Sequence, residues 1–310
     1  MTDLFELPPE LAIDTRVARR IMVGFIRGQL RQAGFERAVL GLSGGIDSAV
    51  VAFLAAEAIG PQRLLCVLMP YRTSSSESLE DAQSVVERLG CASRVIDISP
   101  IVDGYFGRGG NGVSPAGDGD LGDVRPFEPG ALGPDAARAS SLRRGNFMAR
   151  ARMAVLYDLS AAWGGLVIGT GNKTEVLIGY TTHFGDDACA FDPVGDLYKS
   201  QLRQVAVDLG VPERIISKPP SADLWPGQTD EAEVGFSYAD LDRLLYWMVD
   251  RRRSPDELAE RGFDPRFVER VGRMVAVNEF KRQVPPIAKL GPRTSGVDYL
   301  YPRRRPAPGT

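Results

Sequence analysis

The chain has 310 residues, 44% of them apolar, and a formal net charge of −3, which allows a full core and excludes a protein held to nucleic acid by general charge. Its one histidine, His183, and its three cysteines, Cys66, Cys91 and Cys189, which make no C-x-x-C pair, exclude multi-histidine metal centres and a disulfide framework. With no apolar run long enough to span a bilayer and no basic-then-apolar signal in Met1–Glu6, the expectation is a cytoplasmic protein acting on small molecules, with neither nucleic acid nor membrane as partner.

The first predicted element is an amphipathic helix with Asp14 as N-cap, Val17, Ile21, Phe25 and Ile26 on one face, and an end near Gly34. A strand at 37–42, a helix at 48–59, a strand at 64–69, a helix at 76–89 and a strand at 93–98 follow, each strand a short unbroken apolar run. Such alternation predicts an α/β fold, a doubly wound parallel sheet with flanking helices on both faces. Ligands of these sheets lie beyond the strand C-termini, which puts the loop at Ser43 and the turn carrying Arg72 on one rim. Residues 104–140 are dense in Gly, Pro, Asp and Ala and predict a mobile loop inside a single domain spanning 1–310. The G-x-G-x-x-G match at 107–112 neither ends a strand nor opens a helix, so it carries no dinucleotide reading. A helix at 141–163 and a strand at 166–169 lead into Gly169–Glu175; helices at 200–209, 238–249 and 264–282 close the chain as a C-terminal helical segment, with an irregular tail from about 286 to 310.

The loop Gly41-Leu42-Ser43-Gly44-Gly45-Ile46-Asp47-Ser48 joins the first strand to a helix. Gly44 and Gly45 allow the backbone to approach an anion with consecutive N–H groups, and the following helix adds its positive end. Ser43 and Ser48 supply hydroxyls, while Asp47 suits an anion that arrives with Mg2+. The loop reads as an ATP site without the lysine of a Walker A motif, so the phosphate-binding lysine must come from elsewhere. Ser43-Gly44-Gly45-Ile46-Asp47-Ser48 resembles the S-G-G-x-D-S loop of the ATP pyrophosphatases, which cleave ATP between the α and β phosphates to adenylate a substrate.

Arg144–Met153, Gly169–Glu175, Asp192–Lys199 and Lys218–Leu224 are further similar to the NAD synthetases, a likeness running from about residue 20 to about 286. It implies the adenine nucleotide alpha hydrolase-like form of the fold. It also implies amidation of nicotinic acid adenine dinucleotide (deamido-NAD) to NAD+ through an adenylated carboxylate, with ATP as co-substrate, Mg2+, ammonia as nucleophile, and AMP and pyrophosphate released. Residue by residue, the resemblance places ATP at Gly41 to Ser48, Thr170, Lys199 and Ser221, and the rim position of Arg72 adds that residue. It assigns the metal to Asp47 and Glu175, and the dinucleotide to Asn146, Arg150, His183 and Lys281. Lys199 becomes the missing phosphate lysine, and Asp186 the carboxylate that accepts a proton from the attacking nitrogen. A homodimer is implied as well.

Three positions depart from the family pattern: Ala190 stands for an aspartate, His183 for a lysine and Phe280 for a histidine. The loop Gly169–Glu175 looks more like the synthetase part of the glutamine-using enzymes, so ammonia is either free or supplied by an amidase on a separate chain. The alternatives are another S-G-G-x-D-S ligase, GMP synthetase-like or tRNA-thiolating, and a catalytically silent nucleotide-binding paralogue.

Overall fold

Four strands, β1 (Arg37–Gly41), β2 (Leu64–Leu68), β3 (Ala92–Val95) and β4 (Gly165–Val167), pair in parallel in the order β3-β2-β1-β4. The computed structural model describes residues 8–106, 136–220, 230 and 234–294. Ala38 faces Leu64 on one side of β1 and Leu166 on the other, and every residue of β2 is buried. Continuous apolar strands of this kind need cover on both faces.

One face is covered by α1 (Thr15–Ala33), α2 (Ile46–Ile59), α3 (Ser76–Leu89) and α7 (Lys199–Leu209), around a core that includes Ile26, Leu30, Val51, Leu54 and Leu202. The other face carries α4 (Ser99–Phe106) and α5 (Ala136–Trp163), with Val39, Val67, Ile98 and Met148 between them and the sheet. Each fully buried Leu, Ile or Val there contributes about 1.5 to 3 kcal/mol by leaving water. A third core holds the C-terminal helices α9 (Tyr238–Leu245), α10 (Pro255–Glu260) and α11 (Pro265–Val277) against α6 (Lys173–Ile178). A short helix, α8 (Glu213–Ser217), precedes them.

Asp14 caps α1 by accepting from the Val17 N–H, and the helix ends at Gly34. Its buried face, however, is Met22, Val23, Ile26 and Leu30; of the face expected from sequence only Ile26 is buried, and Ile21 is 65% exposed. The expected loop at 104–140 is shorter at both ends, since 104–106 complete α4 and α5 begins at Ala136; residues 107–135 lie outside the described residues. The helix expected at 238–249 is regular only to Leu245 and continues as a π-helical turn, Tyr246–Asp250. No regular element occupies 284–294, and 295–310 lie outside the described residues.

The chain moves outward from β1 to β2 and β3, then returns to place β4 on the opposite side of β1. The loops leaving β1 and β4 therefore diverge at a topological switch point, the place where such sheets bind ligands.

Candidate active site

The loop after β1 is held by its own hydroxyls. Ser43 Oγ and Ser48 Oγ lie 3.1 Å apart, Ser43 N–H donates to Ser48 Oγ at 3.2 Å, and Gly45 N–H donates to Ser43 Oγ at 3.2 Å. Ser48 also donates to the Gly45 carbonyl at 3.1 Å, so both serines shape the loop. Gly44 has φ +81°, and a Cβ there would stand 2.1 Å from the Ser78 carbonyl oxygen at the start of α3. Only glycine fits that position. Gly45, at φ −86°, has ordinary backbone, so the expectation of two glycines with special geometry holds for Gly44 alone. Gly41 sits at the end of β1, and Leu42 and Ile46 bury their side chains in the core below the turn.

Asp47, in the first turn of α2, points at two residues far along the chain. Its Oδ1 accepts from Asn172 Nδ2 at 2.9 Å and its Oδ2 from Lys199 Nζ at 2.6 Å. The same ammonium donates to Glu175 Oε1 at 3.0 Å. Glu175 is fixed in turn by a capping box on α6, in which its N–H donates to Asn172 Oδ1 at 3.1 Å and its Oε2 accepts from the Asn172 N–H at 3.4 Å. A lysine at the start of α7 opposes the helix dipole, and here two carboxylates meet it.

Lys199 is only 2% exposed. Burial alone would lower its pKa, but Asp47 and Glu175 outweigh that and raise it, so the ammonium stays charged. For Glu175 burial dominates and pushes the carboxyl up to about 7, against the pull of Lys199, with the charges of Asp47 and Asp230 adding to the rise. The Tyr238 hydroxyl bridges Glu175 Oε1 at 3.5 Å and Asp230 Oδ2 at 3.3 Å, and Tyr180 donates to Asp230 Oδ1 at 3.0 Å. Among the described residues no three His, Cys, Asp or Glu side chains converge to encage an ion. A pair of hard carboxylate donors fits Mg2+, which ordinarily takes one or two protein carboxylates and completes its shell with phosphate oxygens and water.

Thr170 lies in the loop after β4 between two close backbone approaches: a Cβ at Gly169 would meet Cys189 Sγ at 2.6 Å, and one at Gly171 would meet Asp192 Oδ2 at 3.2 Å. Asp192 accepts from the Val194 N–H at 3.0 Å and from the N–H groups of Gly171 and Gly195, pinning this loop to the segment that leads into Lys199. Its burial pushes its carboxyl up to about 6.

A second group of predicted residues gathers on the segment that follows α6. Thr182 Oγ1 donates to Asn146 Oδ1 at 2.9 Å, and Arg150 donates through Nε and Nη2 to the His183 carbonyl at 3.2 and 3.0 Å. His183 Nδ1 is 2.8 Å from Asp187 Oδ2, and the His183 ring lies edge-on to Phe280 with centroids 6.0 Å apart. Lys281 donates to the carbonyls of Gly179 at 2.6 Å and Thr181 at 2.7 Å. Burial lowers its pKa even though Asp186 and Asp187 pull the other way. Asp186 accepts from the Thr182 N–H at 2.8 Å, and desolvation raises its carboxyl, with Asp187 adding to the rise.

Lys199, Asp47 and Glu175 are thus brought together, as are Asn146, Arg150, His183, Asp186 and Lys281, the first group at the start of α6 and the second on the segment that follows it. Arg72 belongs to neither. It pairs with Asp103 of α4, which also faces Arg144 at 3.9 Å and accepts from the Tyr71 hydroxyl at 2.9 Å. Ser221 lies outside the described residues. Asn172 was not singled out from sequence, although the spacing Asn172-x-x-Glu175 is a cap signature; Asp192, Asp230 and Tyr238 offered no spacing of that kind.

The family model described as NAD synthase matches residues 18–285. The NH(3)-dependent NAD(+) synthetase of Chlorobaculum parvum is 48% identical over 96% of this chain and 97% of its own length. Among solved structures, the NH3-dependent NAD synthetase of Campylobacter jejuni is 32% identical, with a TM-score of 0.70, over 90% of this chain and all of that one (100%). The NMN synthetase of Francisella tularensis is 28% identical, with a TM-score of 0.71, over 89% of this chain and 99% of that one.

Proposed function

The chain belongs to the NAD synthase family, and on that premise we propose that Lys199, Asp47 and Glu175 serve activation of the acid while Asp186, in the second cluster, serves the amide-forming half. It is a carbon–nitrogen ligase with the fold of the adenine nucleotide alpha hydrolases, and it amidates deamido-NAD with ammonia to give NAD+, using ATP as co-substrate.

A carboxylate resists ammonia because its carbonyl carbon is electron-rich, so it must first be activated. The nicotinate oxygen attacks the α phosphorus of ATP, the bond from that phosphorus to the bridging oxygen breaks, and pyrophosphate leaves. Gly41 to Ser48 and Thr170 cradle the nucleotide together with Ser221, and Arg72 would join them by exchanging its Asp103 partner for phosphate. The Lys199 ammonium, positioned by the two carboxylates, donates to a phosphate oxygen. A Mg2+ ion held by Asp47 and Glu175 would neutralise charge on the departing pyrophosphate. In the second half ammonia attacks the acyl carbon, the bond to the AMP oxygen breaks, and Asp186 takes the proton from nitrogen; its raised pKa makes it the better base. Asn146, Arg150, His183 and Lys281 hold the dinucleotide, the last three partly by shaping the 179–187 loop.

The observation that carries this reading is the buried Lys199 ammonium shared by Asp47 and Glu175 beside the Gly44 turn at the switch point. We read residues 1–310 as one domain, working in the cytoplasm as a homodimer, for which the exposed line Val17, Ile21 and Phe25 on α1 offers surface. No helix among the described residues is long and apolar enough to cross a membrane. Ammonia is read as free, or released by an amidase on another chain.

The test is incubation with ATP, Mg2+ and deamido-NAD plus either ammonium or glutamine, assaying NAD+ and AMP. Turnover with ammonium and none with glutamine is expected; AMP formation that needs xanthosine monophosphate instead overturns the reading. Because one structural neighbour is named an NMN synthetase, nicotinic acid mononucleotide is the competing acceptor, and a preference for it in kcat/KM would move the substrate assignment to the shorter molecule.

A further inference from the structure

Asp242 lies on α9, outside every motif tied above to the reaction, and is fully buried at 0% exposure. Its Oδ1 accepts from Thr174 Oγ1 at 2.5 Å, and its Oδ2 accepts from the Ser200 N–H at 2.7 Å and from Ser200 Oγ at 2.6 Å. The Thr174 hydroxyl that donates to Asp242 also accepts from the Lys199 N–H at 3.0 Å. Thr174 precedes Glu175 on α6, and Ser200 follows Lys199 on α7. One carboxylate therefore grips the first turns of both helices, next to the residues whose side chains meet 3.0 Å apart.

A buried carboxylate is costly unless its oxygens are satisfied, and three donors converge on this one. If α6 and α7 needed only to pack, an apolar side chain among Leu241, Leu244 and Leu245 would serve with no desolvation cost. A carboxylate at that place earns specificity of position instead: its hydrogen bonds have fixed lengths and directions, whereas apolar contact lets helices slide.

We infer that Asp242 is a positioning residue for adenylation, holding the start of α6 and the start of α7 in one register so that Glu175 and Lys199 are presented to the nucleotide together. This rests on the roles proposed above for Glu175 and Lys199. It makes the C-terminal helical segment part of the catalytic framework through a single side chain.

The experiment measures kcat and KM for ATP, single-turnover pyrophosphate release and the urea unfolding midpoint in the full-length protein for Asp242→Asn, Thr174→Val and Thr174→Ser, with Glu175→Gln as reference. Asp242→Asn is expected to lower kcat by about 30-fold or more while KM for ATP moves less than about threefold, since misplacement near 1 Å costs on the order of 100-fold. Thr174→Val should reproduce that split, and Thr174→Ser, which keeps the hydroxyl, should restore kcat. The double variant Asp242→Asn with Thr174→Val should be no slower than the slower single one, as expected for partners in one contact. If the urea midpoint falls in Asp242→Asn and Thr174→Val but kcat stays within about threefold of the unaltered protein, Asp242 only stabilises and the inference fails. Should Asp242→Asn not fold, the Thr174→Val and Thr174→Ser pair decides the matter, equal kcat in the two being the refuting result. If Glu175→Gln releases pyrophosphate at the unaltered rate, the assignment of Glu175 fails and takes this inference with it.

Discussion

Where Lys199 meets Asp47 and Glu175, charge is neutralised side chain to side chain, inside the protein and on the first turns of three helices. At the other end of α6, Arg150 and Lys281 donate to backbone carbonyls of the 179–183 segment, Asp186 accepts from the Thr182 N–H and Asp187 from the Gly185 N–H. The first cluster is a set of preorganised charges whose burial is repaid only if all of them remain paired. The second is a loop drawn into shape by long side chains, with one edge left open to solvent. Damage to the first should therefore stop the activation of the acid, whereas loss of Asp186 alone from the second should leave activation intact, because the residues that hold the dinucleotide serve both halves.

Asp186→Asn breaks the comparison most sharply. It removes a proton acceptor and keeps the shape, so amide formation should fall by about 100-fold or more, while adenylate formation stays within about threefold, as read by rapid-quench single turnovers. Equal losses in both halves would erase the distinction between the clusters. Gly44→Ala strikes the other side: a Cβ 2.1 Å from the Ser78 carbonyl, at φ +81°, must displace the turn. A drop in kcat/KM for ATP on the order of 100-fold is expected, and an unchanged value would place the nucleotide elsewhere.

The smallest effect is one of stability. Burial raises the Asp192 carboxyl from its ordinary 3.8 to about 6, so between those values the folded protein holds a proton that the unfolded chain has released. Stability contributed by this group is present below the unfolded value and is lost as pH rises toward about 6. Asp192→Asn should flatten the fall of the urea midpoint across that window; an unchanged slope would mean that Asp192 is ionised throughout it.

The inner strands of the parallel sheet were legible because β1 and β2 carry unbroken buried apolar runs; the edge strand β3, Ala92-Ser93-Arg94-Val95, is largely exposed and carries none. The buried face of α1 was not legible. Val17, Ile21 and Phe25 form one line at four-residue spacing, and Met22, Ile26 and Leu30 form another beside it, so periodicity alone does not say which line meets the sheet. The helix α10 was missed although Ser254-Pro255-Asp256-Glu257 forms a capping box with proline in its first turn. In the site, Asp47, Glu175 and Lys199 stood in motifs. Asp242 did not, because its partners lie 68 and 42 residues away and only the packing of α9 against α6 and α7 brings them to it; a charged residue beside Leu241 on an apolar helix face was its one trace. Arg72 was placed on the correct strand end, yet Asp103, on a helix not read from the sequence, is its partner.

The most direct test of the division between the two clusters is exchange of labelled pyrophosphate into ATP with deamido-NAD present and ammonium absent, compared for the unaltered protein, Glu175→Gln and Asp186→Asn. The account predicts exchange in the unaltered protein, none in Glu175→Gln, and an undiminished rate in Asp186→Asn. Exchange that survives Glu175→Gln, or vanishes in Asp186→Asn, would contradict it.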